Sequence, residues 1–284
     1  MENIKSLKNE SFESLFSSFN RAFEDYEMQV NKQELQVMLS RRGFVPELSF
    51  GAFDDDKLVS FTFNGIGLYN GVKTAYDTGT GTLKDYRGRG LATKVFVSSI
   101  PSLKEAGIKQ YLLEVLQHNT KAYNVYKNIG FEVTREFNYF VQSVENIRLN
   151  SKEIPKEYQL RQISLDYKTQ MIGFWDFTAS WQNSFESVER RLNDFTLLGV
   201  FHNQNLIGYS IFESGSGDIT QIAVAKAYRR QGIASGLLKE MVKRNKHSNI
   251  KAINTEIGFI AIDKFFEANG IVLAGTQFEM IKQF

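Results

Sequence analysis

The sequence contains no cysteine, and this absence removes several kinds of chemistry at once. Thiol catalysis, disulfide bonds and thiolate metal sites all require cysteine. Histidine is scarce as well: His118, His202 and His247 are the three in the chain, and none is paired at a spacing typical of metal ligands. The sequence therefore predicts no metal site.

Long apolar runs are also missing: no stretch approaches the roughly 20 apolar residues of a membrane helix, and the N-terminus does not resemble a signal peptide. A cytoplasmic protein is the resulting expectation. The formal net charge of +2 provides no general field for nucleic acid or an anionic membrane, so anion binding must be local. The basic cluster of Lys243, Arg244 and Lys246 is interpreted as solvated surface near a helix C-terminus.

The most informative feature present is a heptapeptide with the pattern Tyr-Arg-x-x-Gly-x-Ala that occurs twice. The two copies are Tyr86-Arg87-Gly88-Arg89-Gly90-Leu91-Ala92 and Tyr228-Arg229-Arg230-Gln231-Gly232-Ile233-Ala234. They are separated by half of the 284 residues, which is the size of a domain and far above the period of a solenoid repeat. The sequence therefore predicts two copies of one ligand-binding unit.

Each copy follows a predicted strand, at 78–83 or 219–224, and opens a predicted helix, at 91–100 or 233–242. A strand, a basic glycine loop and a helix N-terminus together favour an anion site, because unpaired N–H groups and the positive helix end face the loop. Gly90 and Gly232 permit a phosphate to lie on the backbone where no Cβ intervenes.

The first half begins with an aromatic stripe at helical spacing, formed by Phe12, Leu15, Phe16, Phe19, Phe23 and Tyr26. Asn31 and Glu34 predict a capping box for a second helix. Strands are predicted at 47–53, 58–63, 73–83, 111–116 and 131–141, with a hairpin turn at 54–57. A helix at 120–129 is predicted to end at Gly130 in a left-handed cap.

The second half has a similar order, with strands at 197–201 and 206–212 around a turn. A helical stripe is predicted from Phe174, Phe177, Trp181 and Phe185. Aromatic stripes of this kind favour core packing over an acceptor pocket. The polar segment 142–156 is the predicted linker, which gives domains at 1–148 and 157–284.

These features resemble the GNAT superfamily of N-acetyltransferases, in which Arg/Gln-x-x-Gly-x-Gly/Ala binds the pyrophosphate of acetyl-CoA. The first half carries a second family signature in Val115, Asn119, Ala122, Val125, Tyr126, Gly130 and Phe131. The resemblance covers nearly the whole chain. It implies an α/β fold (of the α+β type, with a mixed sheet) that is arranged as two consecutive GNAT-like acyl-CoA N-acyltransferase domains.

The resemblance also implies roles for individual residues. Tyr126 would be the general acid for the CoA sulfur, since a phenol with a pKa of about 10 can protonate a departing thiolate. The alternative is that Tyr126 is a buried core tyrosine. Asn119 would contact CoA, and Gly79 and Gly81 predict a strand irregularity near the thioester. The implied cofactor contacts are Thr80, Gly81, Thr82, Arg87, Gly88, Arg89, Gly90, Leu91, Ala92 and Asn119.

The second half departs from this pattern, because Phe266 stands where Tyr126 does and Phe259 where Asn119 does. Its loop, Arg229, Arg230, Gln231, Gly232, Ile233 and Ala234, is a possible second CoA loop without the chemistry. Alternatively this half is a structural or acceptor-shaping partner.

No general base is evident: His118, Glu114 and Asp77 are candidates, and many members of the family deprotonate the amine through water. The resulting hypothesis is an acetyltransferase whose first half transfers acetyl from acetyl-CoA to a primary amine by direct attack. A non-catalytic acyl-CoA-binding or regulatory protein is the alternative. The acceptor remains open among antibiotics, polyamines, amino acids, small thiols and protein N-termini, that is, a small molecule or a peptide.

Overall fold

The computed structural model describes residues 2–25, 29–149 and 153–284. Within these residues the strands are β1 (Asn3–Ser6), β2 (Phe50–Asp54), β3 (Lys57–Tyr69), β4 (Val72–Thr82), β5 (Gln110–Leu116), β6 (Glu132–Ser143), β7 (Gln159–Gln162), β8 (Phe195–His202), β9 (Asn205–Glu213), β10 (Asp218–Val224), β11 (Asn249–Glu256) and β12 (Val272–Gln283). The helices are α1 (Phe12–Ala22), α2 (Lys32–Arg42), α3 (Leu91–Glu105), α4 (Thr120–Asn128), α5 (Lys168–Ile172), α6 (Phe185–Arg190), α7 (Ile233–Arg244) and α8 (Ile260–Ala268).

The chain forms two compact units, and the last strand of each sequence half is divided between them. The first unit contains the residues up to Thr134 together with Glu279–Phe284, and the second contains Arg135–Phe278. Most of β6 therefore belongs to the second unit, while the end of β12 belongs to the first. The prediction that the two domains span residues 1–148 and 157–284 refers to the halves of the sequence and stays a prediction. Within the predicted linker, 142–143 belong to β6 and 150–152 lie outside the described residues.

In the first unit the strand order is β1-β2-β3-β4-β5, followed by the end of β12. Strands β1 to β4 pair antiparallel, whereas β4 and β5 are parallel and pair from Thr74↔Gln110 to Tyr76↔Leu112. Beyond Tyr76 the two parallel strands diverge. Helices α1 and α3 pack on the sheet through a core that includes Leu15.

In the second unit the order is β12-β6-β11-β10-β9-β8-β7, with β12 represented by its residues up to Phe278. Strands β10 and β11 are again parallel, and they pair at Asp218↔Lys251. Here too the parallel strands diverge, and a cleft opens between them. Helix α7 packs on this sheet through Leu237 and Leu238, which are fully buried.

Local signals in the sequence predicted several details correctly. Asn31 and Glu34 form the reciprocal capping box at the start of α2. Gly130 follows α4 with φ of 90°, as expected for a left-handed cap. The β2–β3 hairpin turns between Asp54 and Lys57. Of the first aromatic stripe, Tyr26 lies outside the described residues.

The helix predicted from Phe174 to Phe185 was wrong. Helix α5 ends at Ile172 and α6 begins at Phe185, so the segment between them is irregular. Side-chain bonds to the backbone explain the difference, because Ser184 accepts from the N–H of Ser187 and donates to the carbonyl of Trp181. These bonds start α6 and satisfy backbone groups that a longer helix would have used.

Candidate functional site

The loop 87–92 of the first unit has the geometry of an anion site. Gly88 and Gly90 have φ of 79° and 71°, and a Cβ at either position would meet no atom within 4 Å. Gly90 is the N-cap of α3 and supplies no side-chain cap. The first N–H groups of α3 have no partner within the helix, so they face the open space above the loop.

The arginine side chains of this loop are engaged with the protein itself. Arg87 donates to the carbonyls of Thr82 and Ala22, at 3.2 and 2.8 Å, and pairs with Asp25 at 3.1 Å. Hydrogen bonds from Lys84 and Arg87 hold the pKa of Asp25 below its usual range. The side chain of Arg87 therefore fastens the end of β4 to the segment after α1, and the backbone is what the loop offers to an anion.

The neighbouring Arg89 is placed in a similar way. Its guanidinium donates to the carbonyl of Asp85 at 2.8 Å and lies 4.8 Å from the ring centroid of Tyr86. The aromatic ring at the first position of the heptapeptide thus supports the loop from one side.

A narrow cleft of about 150 Å³ lies beside the loop of the first unit. It is lined by Thr80, Gly81, Thr82, Ala92, Phe96, Ala122, Val125, Tyr126 and Ile129. The structure therefore brings together five of the residues predicted from the sequence: Thr80, Gly81, Thr82, Ala92 and Tyr126. They meet where β4 diverges from β5.

The carboxyl group of Asp77 is hydrogen-bonded both to Tyr126, the predicted general acid, and to the irregular part of β4. Its Oδ2 accepts from the hydroxyls of Tyr126 at 3.1 Å and Thr80 at 2.8 Å, and its Oδ1 accepts from the N–H of Gly79 at 2.9 Å. The irregularity is a β-bulge at Thr78, directly before Gly79. Burial raises the pKa of the Asp77 carboxyl, while the hydrogen bonds from Thr80, Tyr126 and Gly79 act in the opposite direction.

Asn119 has a local task in the structure. It is the N-cap of α4, and its side-chain oxygen accepts from the N–H of Ala122 at 3.2 Å. A contact to a cofactor would therefore come from its amide nitrogen. The other base candidates lie apart from the Asp77 group: Glu114 accepts from Tyr76 at 2.5 Å, and His118 is exposed.

The loop of the second unit repeats this construction with different residues. Arg230 and Gly232 have φ of 66° and 85°, so Arg230 adopts the left-handed conformation that Gly88 adopts in the first unit. Arg229 donates to the carbonyl of Val224 at 3.0 Å and pairs with Asp176 at 2.9 Å. The two loops thus share one backbone design and one arginine position.

The second unit contains the larger cavity, of about 360 Å³, between β10, β11, the loop and α8. Phe266 contributes no hydroxyl to it and is 1% exposed, and Phe259 begins α8 without a side-chain cap. Two of the aromatic residues assigned to core packing, Phe174 and Phe177, line this cavity. Trp181 is buried in the core as expected.

A chain of three hydrogen bonds, two of them buried, joins residues that line this cavity, and the motifs did not indicate it. Trp175 donates to the hydroxyl of Tyr209 at 2.6 Å, Tyr209 donates to Gln221 at 2.7 Å, and Gln221 donates to the backbone carbonyl of Asn183 at 2.6 Å. Burial raises the pKa of Tyr209. The one signal in the sequence is Gln221 itself, a polar residue within the apolar run 219–224.

Comparison with known proteins defines the class. The acetyltransferase (GNAT) family model matches residues 9–131 and 158–271. N-alpha-acetyltransferase 30 of Schizosaccharomyces pombe is 29% identical over 105 residues, which cover 36% of this chain and 70% of that protein. N-alpha-acetyltransferase MAK3 of Arabidopsis thaliana is 27% identical over 132 residues, with coverage of 44% and 68%. The chain belongs to the acetyltransferase (GNAT) family and is an N-acetyltransferase of that family.

Solved structures support the fold over the whole chain. A tandem GNAT protein from the clavulanic acid biosynthesis pathway has a TM-score of 0.75 at 12% identity and covers 100% of this chain and 98% of its own. A GCN5-related N-acetyltransferase from Sphaerobacter thermophilus has a TM-score of 0.73 at 12% identity, with coverage of 99% and 95%. The predicted fold, two GNAT domains with a mixed sheet, is confirmed. Among the described residues, no helix is both long and apolar enough to cross a membrane.

Proposed function

We propose that the first unit transfers the acetyl group of acetyl-CoA to a primary amine. The observation that carries this proposal is the contact between the Tyr126 hydroxyl and the Asp77 carboxylate, 3.1 Å long, in a cleft beside an anion-binding loop. It unites a proton donor, a proton acceptor and a phosphate site at the point where two parallel strands diverge.

The residues of the loop and cleft fit the parts of acetyl-CoA. The backbone of Gly88, Gly90 and the first turn of α3 would hold the pyrophosphate, since no Cβ fills the space above either glycine. The edge of β4 from Thr80 to Thr82 would pair with the pantetheine arm. Acetyl-CoA supplies an activated acetyl group, which the amine attacks directly.

Two side chains would then handle the protons. The carboxylate of Asp77 takes a proton from the attacking amine, directly or through water. Tyr126 donates its proton to the departing sulfur, and Asp77, hydrogen-bonded to that hydroxyl, passes the amine proton to the phenolate oxygen, which restores both side chains. The raised pKa of Asp77 suits this role, because a carboxyl that binds a proton more readily is a better base than an ordinary aspartate.

The acceptor class is narrowed by the relatives. Two of them are N-alpha-acetyltransferases, so the α-amine of a peptide is the first acceptor to test, with small-molecule amines beside it.

The contact between Asp77 and the N–H of Gly79 favours one alternative, a cleft that only binds an acyl-CoA, because the carboxylate occupies a donor that a thioester oxygen would use.

The test is the substitution Tyr126→Phe, assayed by thiol release from acetyl-CoA with a panel of peptides and amines. We expect kcat to fall by about 10²- to 10⁴-fold, with the affinity for acetyl-CoA unchanged, because the hydroxyl acts as the thiolate leaves. Tyr123→Phe, on the same helix, is the matched control and should retain activity. If Tyr126→Phe turns over within about threefold of wild type, Tyr126 is a packing residue and not the general acid. If the wild type binds acetyl-CoA but turns over with no acceptor, the non-catalytic alternative is favoured.

A further inference from the structure

The β-bulge in β4 is held from outside the sheet by the last residue of α2. The bulge is at Thr78, which is 2% exposed, and Nη1 of Arg42 donates to the carbonyl of Thr78 at 3.1 Å. The hydroxyl of Thr78 donates in turn to the carbonyl of Phe63 on β3, at 3.0 Å. A bulged residue is left out of the regular ladder, so these two contacts fix its orientation.

The backbone of Arg42 is itself fixed against the sheet. Gly43 ends α2 with φ of 80°, and its carbonyl accepts from the N–H of Ile66 on β3 at 2.9 Å. The chain passes so close to β3 that a Cβ on Gly65 would collide with the carbonyl oxygen of Arg42. The side chain of Arg42 therefore extends from a fixed backbone position beside the bulge.

The contact with Thr78 reaches Asp77 through a single peptide group. The carbonyl of Thr78 and the N–H of Gly79 belong to one planar unit, so a bond to the oxygen also sets the direction of the N–H. That N–H donates to Oδ1 of Asp77 at 2.9 Å, and Oδ2 of the same carboxylate accepts from Tyr126 at 3.1 Å. Arg42 is thus connected to the hydroxyl of Tyr126 through the bulge and Asp77.

The charge of Arg42 acts on the same carboxylate. Burial raises the pKa of Asp77, and the positive charge of Arg42 is one of the interactions that lower it. Arg42 also opposes the rise that burial and Glu114 cause in the pKa of Tyr76. Since Arg42 favours the ionised form of Asp77, loss of the guanidinium should make that carboxylate easier to protonate.

We propose that Arg42 is a positioning residue for acetyl transfer in the first unit: it fixes the peptide group after Thr78 and stabilises the carboxylate of Asp77. The effect on catalysis rests on the proposed function, in which that carboxylate accepts the proton of the amine. Arg42 bonds to the bulge and acts through Asp77, so no contact with either substrate is assigned to it.

Groups on several elements interact with Asp77 and bear on its titration. They are Arg42 of α2, Tyr126 of α4, Tyr111 of β5, and Tyr76 and Thr80 of β4, while Glu114 of β5 accepts from the hydroxyl of Tyr76. Burial raises the pKa of Tyr76 and of Tyr111 well above the ordinary value of a tyrosine, so both stay neutral near pH 7. A carboxylate of this group that titrates on the acid side is therefore Asp77 or Glu114, and Asp77→Asn distinguishes the two.

The first experiment measures kcat against pH at saturating acetyl-CoA for the wild type, Arg42→Met and Arg42→Lys. Loss of Arg42 should lower kcat at neutral pH by about 10- to 100-fold with the affinity for acetyl-CoA unchanged, because a displacement of about 1 Å in a reacting group can cost about 100-fold. Activity falls on acidification as Asp77 binds a proton, so this limb of the profile should move to higher pH in Arg42→Met. Arg42→Lys keeps the charge and should return the limb toward its wild-type position. Arg41→Met removes an equal charge from the same helical turn and is the control that should change neither kcat nor the limb.

The second experiment needs no turnover. An isotope-labelled carboxyl carbon of Asp77, assigned by its absence in Asp77→Asn, is titrated by NMR in the full chain. The pKa of Asp77 should be higher in Arg42→Met than in the wild type or Arg41→Met. Urea unfolding shows whether each variant is folded, and if Arg42→Met is not, Arg42→Gln, which keeps an N–H donor without the charge, replaces it.

An unchanged pKa of Asp77 in a folded variant without Arg42 would overturn the proposal. A fall in kcat with no movement of the acid limb would overturn it too, since a purely structural role has that result. If the wild type transfers acetyl to no acceptor while the pKa of Asp77 still responds to Arg42, the proposed function fails and the coupling between Arg42 and Asp77 stands.

Discussion

Gly90→Val tests the anion site of the first unit, and the structure separates its effect on folding from its effect on binding. At φ of 71° a valine is strained, which costs about 1–3 kcal/mol. No atom within 4 Å of the new Cβ obstructs it. The loss should therefore leave a folded protein, because domains are typically stable by about 5–15 kcal/mol.

The effect on acetyl-CoA binding should be larger than that strain suggests. The valine would project into the open space above the first turn of α3, where the phosphate oxygens would lie. Each hydrogen bond between a backbone N–H and a charged oxygen contributes about 1.5–3 kcal/mol. Loss of one such bond weakens binding about 10- to 150-fold, and displacement of the whole phosphate weakens it further.

Gly71→Val is the matched control. Gly71 has φ of 78° and equally open surroundings, and it lies in the turn before β4, about 30 Å along that strand from the loop. Urea unfolding measures the strain in both variants, and calorimetric titration with acetyl-CoA measures affinity. We expect similar losses of stability and a loss of affinity confined to Gly90→Val. Equal affinity in the two folded variants would refute the assignment of the phosphate site.

Two further predictions concern stability. Asp77→Asn should raise the free energy of unfolding at neutral pH. Burial raises the folded pKa of Asp77 above its unfolded value of 3.8, so the wild type loses stability as pH rises from 3.8 through the folded pKa. The difference in unfolding free energy between variant and wild type, measured in urea, should therefore be smallest below pH 3.8 and grow across that window. Arg230→Gly should stabilise the protein by about 0.5–1 kcal/mol. The substitution relieves about 1–2 kcal/mol of left-handed backbone strain, and the greater conformational entropy that glycine loses on folding offsets part of that gain. A loss of stability in thermal or urea unfolding would contradict the assigned conformation.

Elements determined by local chemistry could be predicted from the sequence. Glycine at a left-handed position, the reciprocal cap of Asn31 and Glu34, and the turn between Asp54 and Lys57 depend on residues close together in the chain. The cleft residues of the first unit were also within reach, since the strand and helix that carry Thr80 and Tyr126 were recognised from motif and periodicity.

The use of individual side chains could not be predicted in this way. The sequence shows Arg87 in a phosphate-binding motif, yet its guanidinium bonds to carbonyls and a carboxylate that other segments bring to it. Asn119, which was predicted to contact CoA, caps a helix with its side-chain oxygen. The spacing of Phe174 and Trp181 matched a helix, whereas the side chain of Ser184 bonds to the backbone on both sides of the point where α6 begins. The partners of Arg87 depend on tertiary contacts, whereas the bonds of Asn119 and Ser184 are local and compete with the roles that the motif and the helical spacing indicated.

The difference between the two clefts follows from one position in each bulged strand. Both β4 and β10 carry a bulge at a threonine, Thr78 and Thr220, and the residue before it is Asp77 in the first unit and Ile219 in the second. A carboxylate at that position must find donors as it is buried, and it draws the N–H of Gly79 and the hydroxyl of Tyr126 to itself.

Isoleucine has no such requirement. Ile219 lies in the apolar lining of its cleft, and Phe266 is buried in the core, so neither side chain draws polar groups across the gap between β10 and β11. The first cleft, beside the hydrogen bond between Tyr126 and Asp77, has a volume of about 150 Å³, while the second has a volume of about 360 Å³. The same bulge is therefore compatible with the proton transfer proposed for the first unit, whereas in the second unit it borders a larger and mainly apolar cavity.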